Sequence, residues 1–212
     1  MPATMDSPFG GDTREAEARA SRVSFTPATV VEPAMSGALM TTGREVTREI
    51  IGSAAYERAL DSVPRHMAAE YRRVTPMTWV PLSIIEPVIA AMGEASGRDA
   101  LDLQDEVART TVERSLRTIW RLFLRFTSNE ALISRMPVVF SRSYSKGRVQ
   151  TSFPRPDRAV IELLEWPQTP THILRTTRVG LEVMLRAAGR PGARVSFERT
   201  PGGAVYTATG AR

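Results

Sequence analysis

The sequence predicts an α+β protein, with about five to six helices layered on an antiparallel sheet and a C-terminal third that runs ββαββ. Three observations carry this expectation. Between residues 41 and 142, apolar side chains recur at spacings of three and four, the period of a helix with one buried face. After Gly147 the period changes to alternation, as in Arg148-Val149-Gln150-Thr151-Ser152-Phe153. A chain of 212 residues with 42% apolar content is long enough for one well-buried core and short for two ordinary domains.

Residues 1–28 lack periodicity and are rich in small, polar and charged residues, so they read as a disordered N-terminal arm. Residues 29–208 then form a single domain, and 209–212 a tail. Val30 to Met40 predicts a short strand broken by Pro33 and Gly37. Thr41, Thr42 and Gly43 open a helix whose buried face carries Val46, Ile50, Ala54 and Ala55, with an interruption at Gly52. Asp61-Ser62-Val63-Pro64 stops that helix and starts another, with Ser62 capping and Pro64 early in a helix that runs to about Arg73. The segment from Val74 to Val80 leads into a helix over roughly 81–96 that carries Leu82, Ile85, Val88, Ile89 and Met92. Pro87 should bend or restart it, and Gly97 should close it.

The longest periodic run, Ala100 to Thr127, predicts a central helix, and Ser128 or Asn129 caps a further one over Glu130 to Arg142 with a kink at Pro137. A hairpin follows, its strands Arg148 to Phe153 and Ala159 to Trp166 joined by Pro154-Arg155-Pro156-Asp157. Thr169 to Ala188 predicts a helix that Gly189 terminates. A second hairpin, Arg194 to Arg199 and Ala204 to Thr207, turns at Pro201-Gly202-Gly203.

Composition removes several chemistries. There is no cysteine, so disulfides, thiolate nucleophiles, zinc knuckles and cysteine-held iron–sulfur clusters are excluded. The two histidines, His66 and His172, have no metal-ligand spacing, and no Walker loop or G-x-G-x-x-G turn is present. No metal and no cofactor is therefore expected. The net charge of +5 would suit nucleic acid, but Lys146 is the only lysine and the arginines are interspersed with Asp and Glu, which argues against that partner. Neither a secretory leader nor a run of about 18 apolar residues is visible, so the sequence predicts a cytoplasmic protein without a membrane span.

Trp79, Trp120, Phe123, Phe126, Phe140, Tyr144 and Trp166 are candidates to line an aromatic pocket, although such residues more often fill cores. Arg117, Arg121 and Arg125 recur every four residues and could receive an anion through their planar donor forks. A solvated face is the simpler reading, because Glu113 lies four residues before Arg117. His66 and His172 stand alone, without a nucleophile or partner base nearby in sequence. Alternation puts Glu162 and Glu165 on opposite faces, so no carboxylate pair forms and no catalytic residue is expected.

The order of elements, with Ala59-Leu60-Asp61-Ser62-Val63-Pro64, Trp79-Val80-Pro81, Phe140-Ser141-Arg142-Ser143-Tyr144 and the closing Gly192-Ala193-Arg194-Val195-Ser196-Phe197-Glu198, carries a resemblance. From Ile50 to Thr207 the chain resembles the superfamily that joins 4-vinyl reductase-type sensor domains, haem-NO-binding domains and TRAPP vesicle-tethering subunits. Most of all it resembles the uncharacterised family of that group expanded in myxobacteria. The resemblance implies a non-enzymatic sensory or regulatory domain that binds an apolar small molecule or acyl chain between helices and sheet. The alternative it implies is a TRAPP-like interaction module that homodimerises or docks a protein partner. Two departures matter. Where 4-vinyl reductase-type domains carry cysteines, this chain has Thr200-Pro201-Gly202-Gly203-Ala204-Val205, and against the Tyr-x-Ser-x-Arg motif of haem-binding relatives, Tyr144-Ser145-Lys146-Gly147-Arg148 has its serine out of place. Haem is therefore not expected.

Overall fold

The computed structural model describes residues 32–117, 129–155 and 157–210, except for the side chains of Arg117 and Asn129. The expected arm (1–28), the 118–127 part of the expected central helix, Ser128, Pro156 and residues 211–212 lie outside them.

The described chain opens on β1 (Ala34–Ser36), which pairs antiparallel with β2 (Trp79–Pro81) so that Met35 faces Val80. At three residues, β2 is too short to show a period, and the sequence does not predict it. Helix α1 (Gly37–Ile51) begins four residues before the expected start, with the Ser36 hydroxyl accepting from the Ala38 N–H at 3.3 Å. Gly37 opens this helix instead of only breaking the strand. Its N–H donates to the Thr78 carbonyl at 2.8 Å, and a Cβ there would stand 2.0 Å from the Thr75 carbonyl oxygen. Only glycine lets the helix start that close to the 75–78 loop.

Gly52, at φ +79°, separates α1 from α2 (Ser53–Ser62). Ser62 does not cap the next helix as expected; its hydroxyl turns back to donate to the Ala59 carbonyl at 2.8 Å, and Pro64 stands at the N-cap of α3 (Arg65–Arg73). Helix α4 (Leu82–Ser96) runs through Pro87 as one element and ends at Gly97. Proline is tolerated there because the carbonyl it leaves without a donor belongs to exposed Ser83, which water can serve. Helix α5 (Ala100–Arg117) is capped by Asp99, whose carboxylate accepts from the Leu101 and Asp102 N–H groups, both at 2.9 Å. The single helix expected over 130–142 is two, α6 (Asn129–Ile133) and α7 (Met136–Ser143). Pro137 lies in the first turn of α7, where a missing N–H has no consequence, and so makes no kink.

Strands β3 (Arg148–Arg155) and β4 (Arg158–Leu164), helix α8 (Thr171–Ala187), and strands β5 (Arg194–Thr200) and β6 (Gly203–Thr209) complete the expected ββαββ order. The strands form one antiparallel sheet in the order β3-β4-β6-β5. Strand β3 extends to Arg155 through an irregularity after Ser152, so the expected four-residue turn is tighter. Alternation buries Ala159, Ile161 and Leu163 of β4 and Ala204, Tyr206 and Ala208 of β6 on one face. Helix α8 packs against α5 and β5. The fold is thus α+β, with helices over an antiparallel sheet. No helix among the described residues is long and apolar enough to cross a membrane.

Candidate functional site

Helices α1, α4, α5, α7 and α8 converge without closing, and they leave a cavity of about 210 Å³. Met40, Gly43 and Thr47 face it from α1, Ile85 and Ile89 from α4, and Val107, Ala108, Thr111 and Val112 from α5. Met136 and Phe140 of α7 and His172, Thr176, Thr177, Gly180 and Met184 of α8 complete most of the wall. The hollow exists because Gly43, Ala108, Gly180 and several threonines stand where larger side chains would meet. At Gly180 an added Cβ would have Val112 Cγ2 as its nearest neighbour, 3.7 Å away. Leu39 of α1 and Val139 of α7 also border the cavity and are 37% and 46% exposed, which marks its mouth.

The cavity lies among helices, with no lining residue from β3–β6 among the described ones. This corrects the expected position between helices and sheet. The buried sheet face is occupied by its own side chains, notably Tyr206 and Ile161, each 1% exposed.

Few polar groups reach the wall. Arg44 is the one cationic residue among the described lining, and its guanidinium is anchored: it donates to the carbonyls of Tyr71, Arg72 at 3.2 Å and Val74 at 3.3 Å, which are free acceptors at the end of α3. Tyr71 is buried beside it, and burial raises its hydroxyl pKa well above the ordinary range. Burial pushes the Tyr144 hydroxyl up to about 12, with the Thr176 and Thr177 hydroxyls beside it acting in the opposite direction. His172, at the second position of α8, is 7% exposed, and burial lowers its pKa to about 4, so the ring is neutral at physiological pH. Its Nε2 and the Oγ1 of Thr111, a residue 8% exposed, have no hydrogen-bond partner among the described residues. Unpaired buried polar atoms are rare in native cores.

Of the residues singled out in the sequence, Phe140 and Tyr144 border the cavity, their ring centroids 4.9 Å apart. Trp166 does not border it. It is 2% exposed and packs behind Tyr144, at 6.0 Å between centroids, as core. Trp79 lies on β2, 39% exposed and away from the wall. Trp120, Phe123, Phe126, Arg121, Arg125 and the side chain of Arg117 fall outside the described residues. His66 is exposed, and Glu165, at φ +64° beyond the end of β4, pairs with Arg148 at 2.9 Å instead of facing Glu162. Sequence reasoning sets His172 aside and misses Thr111, Ala108 and Gly180, because small or isolated residues in a helix carry no local sign that they border a void.

One ionic cluster joins α5 and α8, two of the helices that line the cavity. Arg175 of α8 bonds Asp102 at 2.7 Å and Asp105 at 2.8 Å on α5, and Arg178 bonds Asp105 at 3.0 Å. The Asp105 side chain is 15% exposed, so these bonds are little screened by solvent.

No protein-family model matches the chain, and no curated protein matches it. Solved structures do. An H-NOX family structure concerned with heme distortion superposes with a TM-score of 0.64 at 14% identity, covering 82% of this chain and 94% of the other. An Fe(II) unliganded H-NOX protein from K. algicida gives 0.64 at 8% identity, with 82% and 96% covered. An oxygen-binding H-NOX domain related to soluble guanylate cyclases, in its oxygen complex, gives 0.60 at 14% identity, with 82% and 93% covered. Over four fifths of its length, this chain has the fold of H-NOX domains.

Proposed function

We propose that residues 29–208 form a non-catalytic sensory or regulatory domain, cytoplasmic, which binds a small, largely apolar molecule in the cavity among α1, α4, α5, α7 and α8. The observation that carries this reading is the cavity itself. It is apolar over most of its wall, open to solvent beside Leu39 and Val139, and bordered by a small number of polar residues such as Arg44, Gln104 and Thr176, the usual build of a small-molecule site. The H-NOX likeness supports a sensor role, since those neighbours are proteins of heme and of oxygen binding. We also propose that the chain belongs with the myxobacterial family it resembles in sequence.

The described residues do not fit a haem. Against the Tyr-x-Ser-x-Arg pattern, Tyr144 faces the cavity, Ser145 accepts from the Ala34 N–H at 2.8 Å and secures β1, and Arg148 pairs with Glu165 at the surface. The three do not converge. Arg44, the cation at the wall, turns three of its N–H groups to backbone carbonyls, and about 210 Å³ is below the usual 300–1,000 Å³ of drug-sized ligand sites. It exceeds the roughly 150 Å³ that accommodates benzene. A ligand of one or two rings, or a short acyl chain, matches it.

Xenon or benzene, which enter dry apolar cavities, should raise the melting temperature of the full chain, and Gly180→Leu should remove that response by filling the hollow. A wild-type protein indifferent to both probes would refute the reading. The homodimer or protein-partner alternative would use the exposed apolar residues Leu39, Val138 and Val139 beside the mouth, with Met77, Trp79 and Phe153 exposed on other segments.

A further inference from the structure

We infer that the molecule taken into this cavity is an apolar monocarboxylic acid, bound as its anion, with the carboxylate against Arg44 and the hydrocarbon body in the hollow. The inference rests on the cavity being a ligand site and names the chemistry which that site selects.

The charge at the wall sets the requirement. Among the described residues Arg44 is the one cation that borders the cavity, and no Asp or Glu borders it. No carboxylate of the described residues pairs with Arg44 elsewhere. What holds its guanidinium is neutral: the carbonyls of Tyr71, Arg72 and Val74, and the Tyr71 ring, whose centroid lies 5.9 Å from Cζ. Carbonyls at a helix C-terminus together carry only about half a negative charge, so they position the cation without neutralising it. A guanidinium has five N–H donors, and these carbonyls take three of them, all from Nη1 and Nη2. Nε–H and a second Nη2 hydrogen remain, neighbours on the edge with which an arginine can hold both oxygens of a carboxylate.

Burial suits the same ligand. Arg44 is partly buried, so a carboxylate beside it keeps some hydration and escapes the penalty of a fully buried ion. Ile85, Ile89, Val107 and Met184 give the body of the ligand hydrocarbon and thioether surface. An ammonium would meet a like charge and no carboxylate. A second carboxylate, or a phosphate with its nearly two charges, would find no second cation on the described wall.

Four probes of one chain length test this on the full chain by calorimetry at neutral pH: hexanoate, hexanamide, hexanol and hexylamine. Hexanamide copies the shape of hexanoate without its charge. Hexanoate is expected to bind about tenfold more tightly than hexanamide or hexanol, hexylamine most weakly, and benzene should compete with hexanoate. Arg44→Gln should abolish the preference for hexanoate and leave hexanamide affinity within about twofold, whereas Arg44→Lys, which keeps the charge without the fork, should retain part of it. The wild-type series decides the matter even where Arg44→Gln, which also frees the end of α3, fails to fold. Hexanamide or hexanol binding as tightly as hexanoate, or hexylamine binding most tightly, would overturn the inference and leave the cavity reading standing. So would a hexanoate preference that survives in Arg44→Gln, hexanoate that benzene does not displace, or benzene binding where none of the four does. If neither benzene nor any of the four binds, the cavity reading itself fails and this inference with it.

Discussion

Burial holds the His172 ring neutral down to about pH 4, against an ordinary value of 6.5. The unfolded chain takes up the proton more readily than the folded one, so the folded state is at full strength above pH 6.5 and weakens as pH falls toward 4. The loss amounts to about 3 kcal/mol, because each tenfold difference in proton affinity between the two states is worth about 1.4 kcal/mol. Urea unfolding between pH 4 and pH 7 should show this slope, and His172→Gln should flatten it by one proton. Gly180 offers a second measurement at this scale. It sits inside α8 with room for a methyl group, 3.7 Å from Val112 Cγ2, so Gly180→Ala should stabilise the protein by about 1 kcal/mol through helix propensity. Gly37→Ala should do the reverse. Its Cβ would meet the Thr75 carbonyl at 2.0 Å, and the displaced start of α1 should lower stability by about 2 kcal/mol in thermal melts.

Among the elements, α5 and α8 carry the largest share of the consequences. Asp105 accepts from Arg175 and Arg178 of α8 while largely shielded from water, so Asp105→Ala removes the carboxylate these two neighbouring cations share and leaves Arg175 with Asp102 alone across the helix pair. A destabilisation of about 2–3 kcal/mol is expected, and a double-mutant cycle with Arg175→Ala should return a coupling of about 1 kcal/mol or more. Helix boundaries are legible in the sequence where a local signal exists: Gly52, Gly97 and Gly189 end elements as their positions suggest. They are not legible where the cause is tertiary. Gly37 starts a helix because the 75–78 loop lies against it, and residues 79–81 are a strand because β1 lies beside them, facts no local window contains. Pro87 lies within one continuous helix and Pro137 in the first turn of another, for different reasons: the carbonyl that Pro87 leaves without a donor belongs to exposed Ser83, whereas at a helix start no intrahelical bond is lost.

At the scale of the whole molecule, the fold class is readable because hydrophobic period reports secondary structure directly, and the switch after Gly147 marks the passage from helices to sheet. The site is readable only in part. Phe140 and Tyr144 stand out as aromatics, but a search that favours bulk selects residues suited to filling space, and Trp166 fills it. A cavity wall is made of what is small, here Gly43, Ala108 and Gly180, brought together from three helices.

The gap around Gly180 also bears on how long the protein persists. Side chains around the hollow of about 210 Å³ forgo packing contacts that a filled one would give them, in a domain of a size whose stability is typically roughly 5–15 kcal/mol. A ligand at a hundred times its Kd would restore about 2.7 kcal/mol, which lowers the unfolded fraction about a hundredfold. Since proteases act on the unfolded fraction, turnover in cells should slow when the cavity is filled, by a molecule of the kind proposed above or by Gly180→Leu.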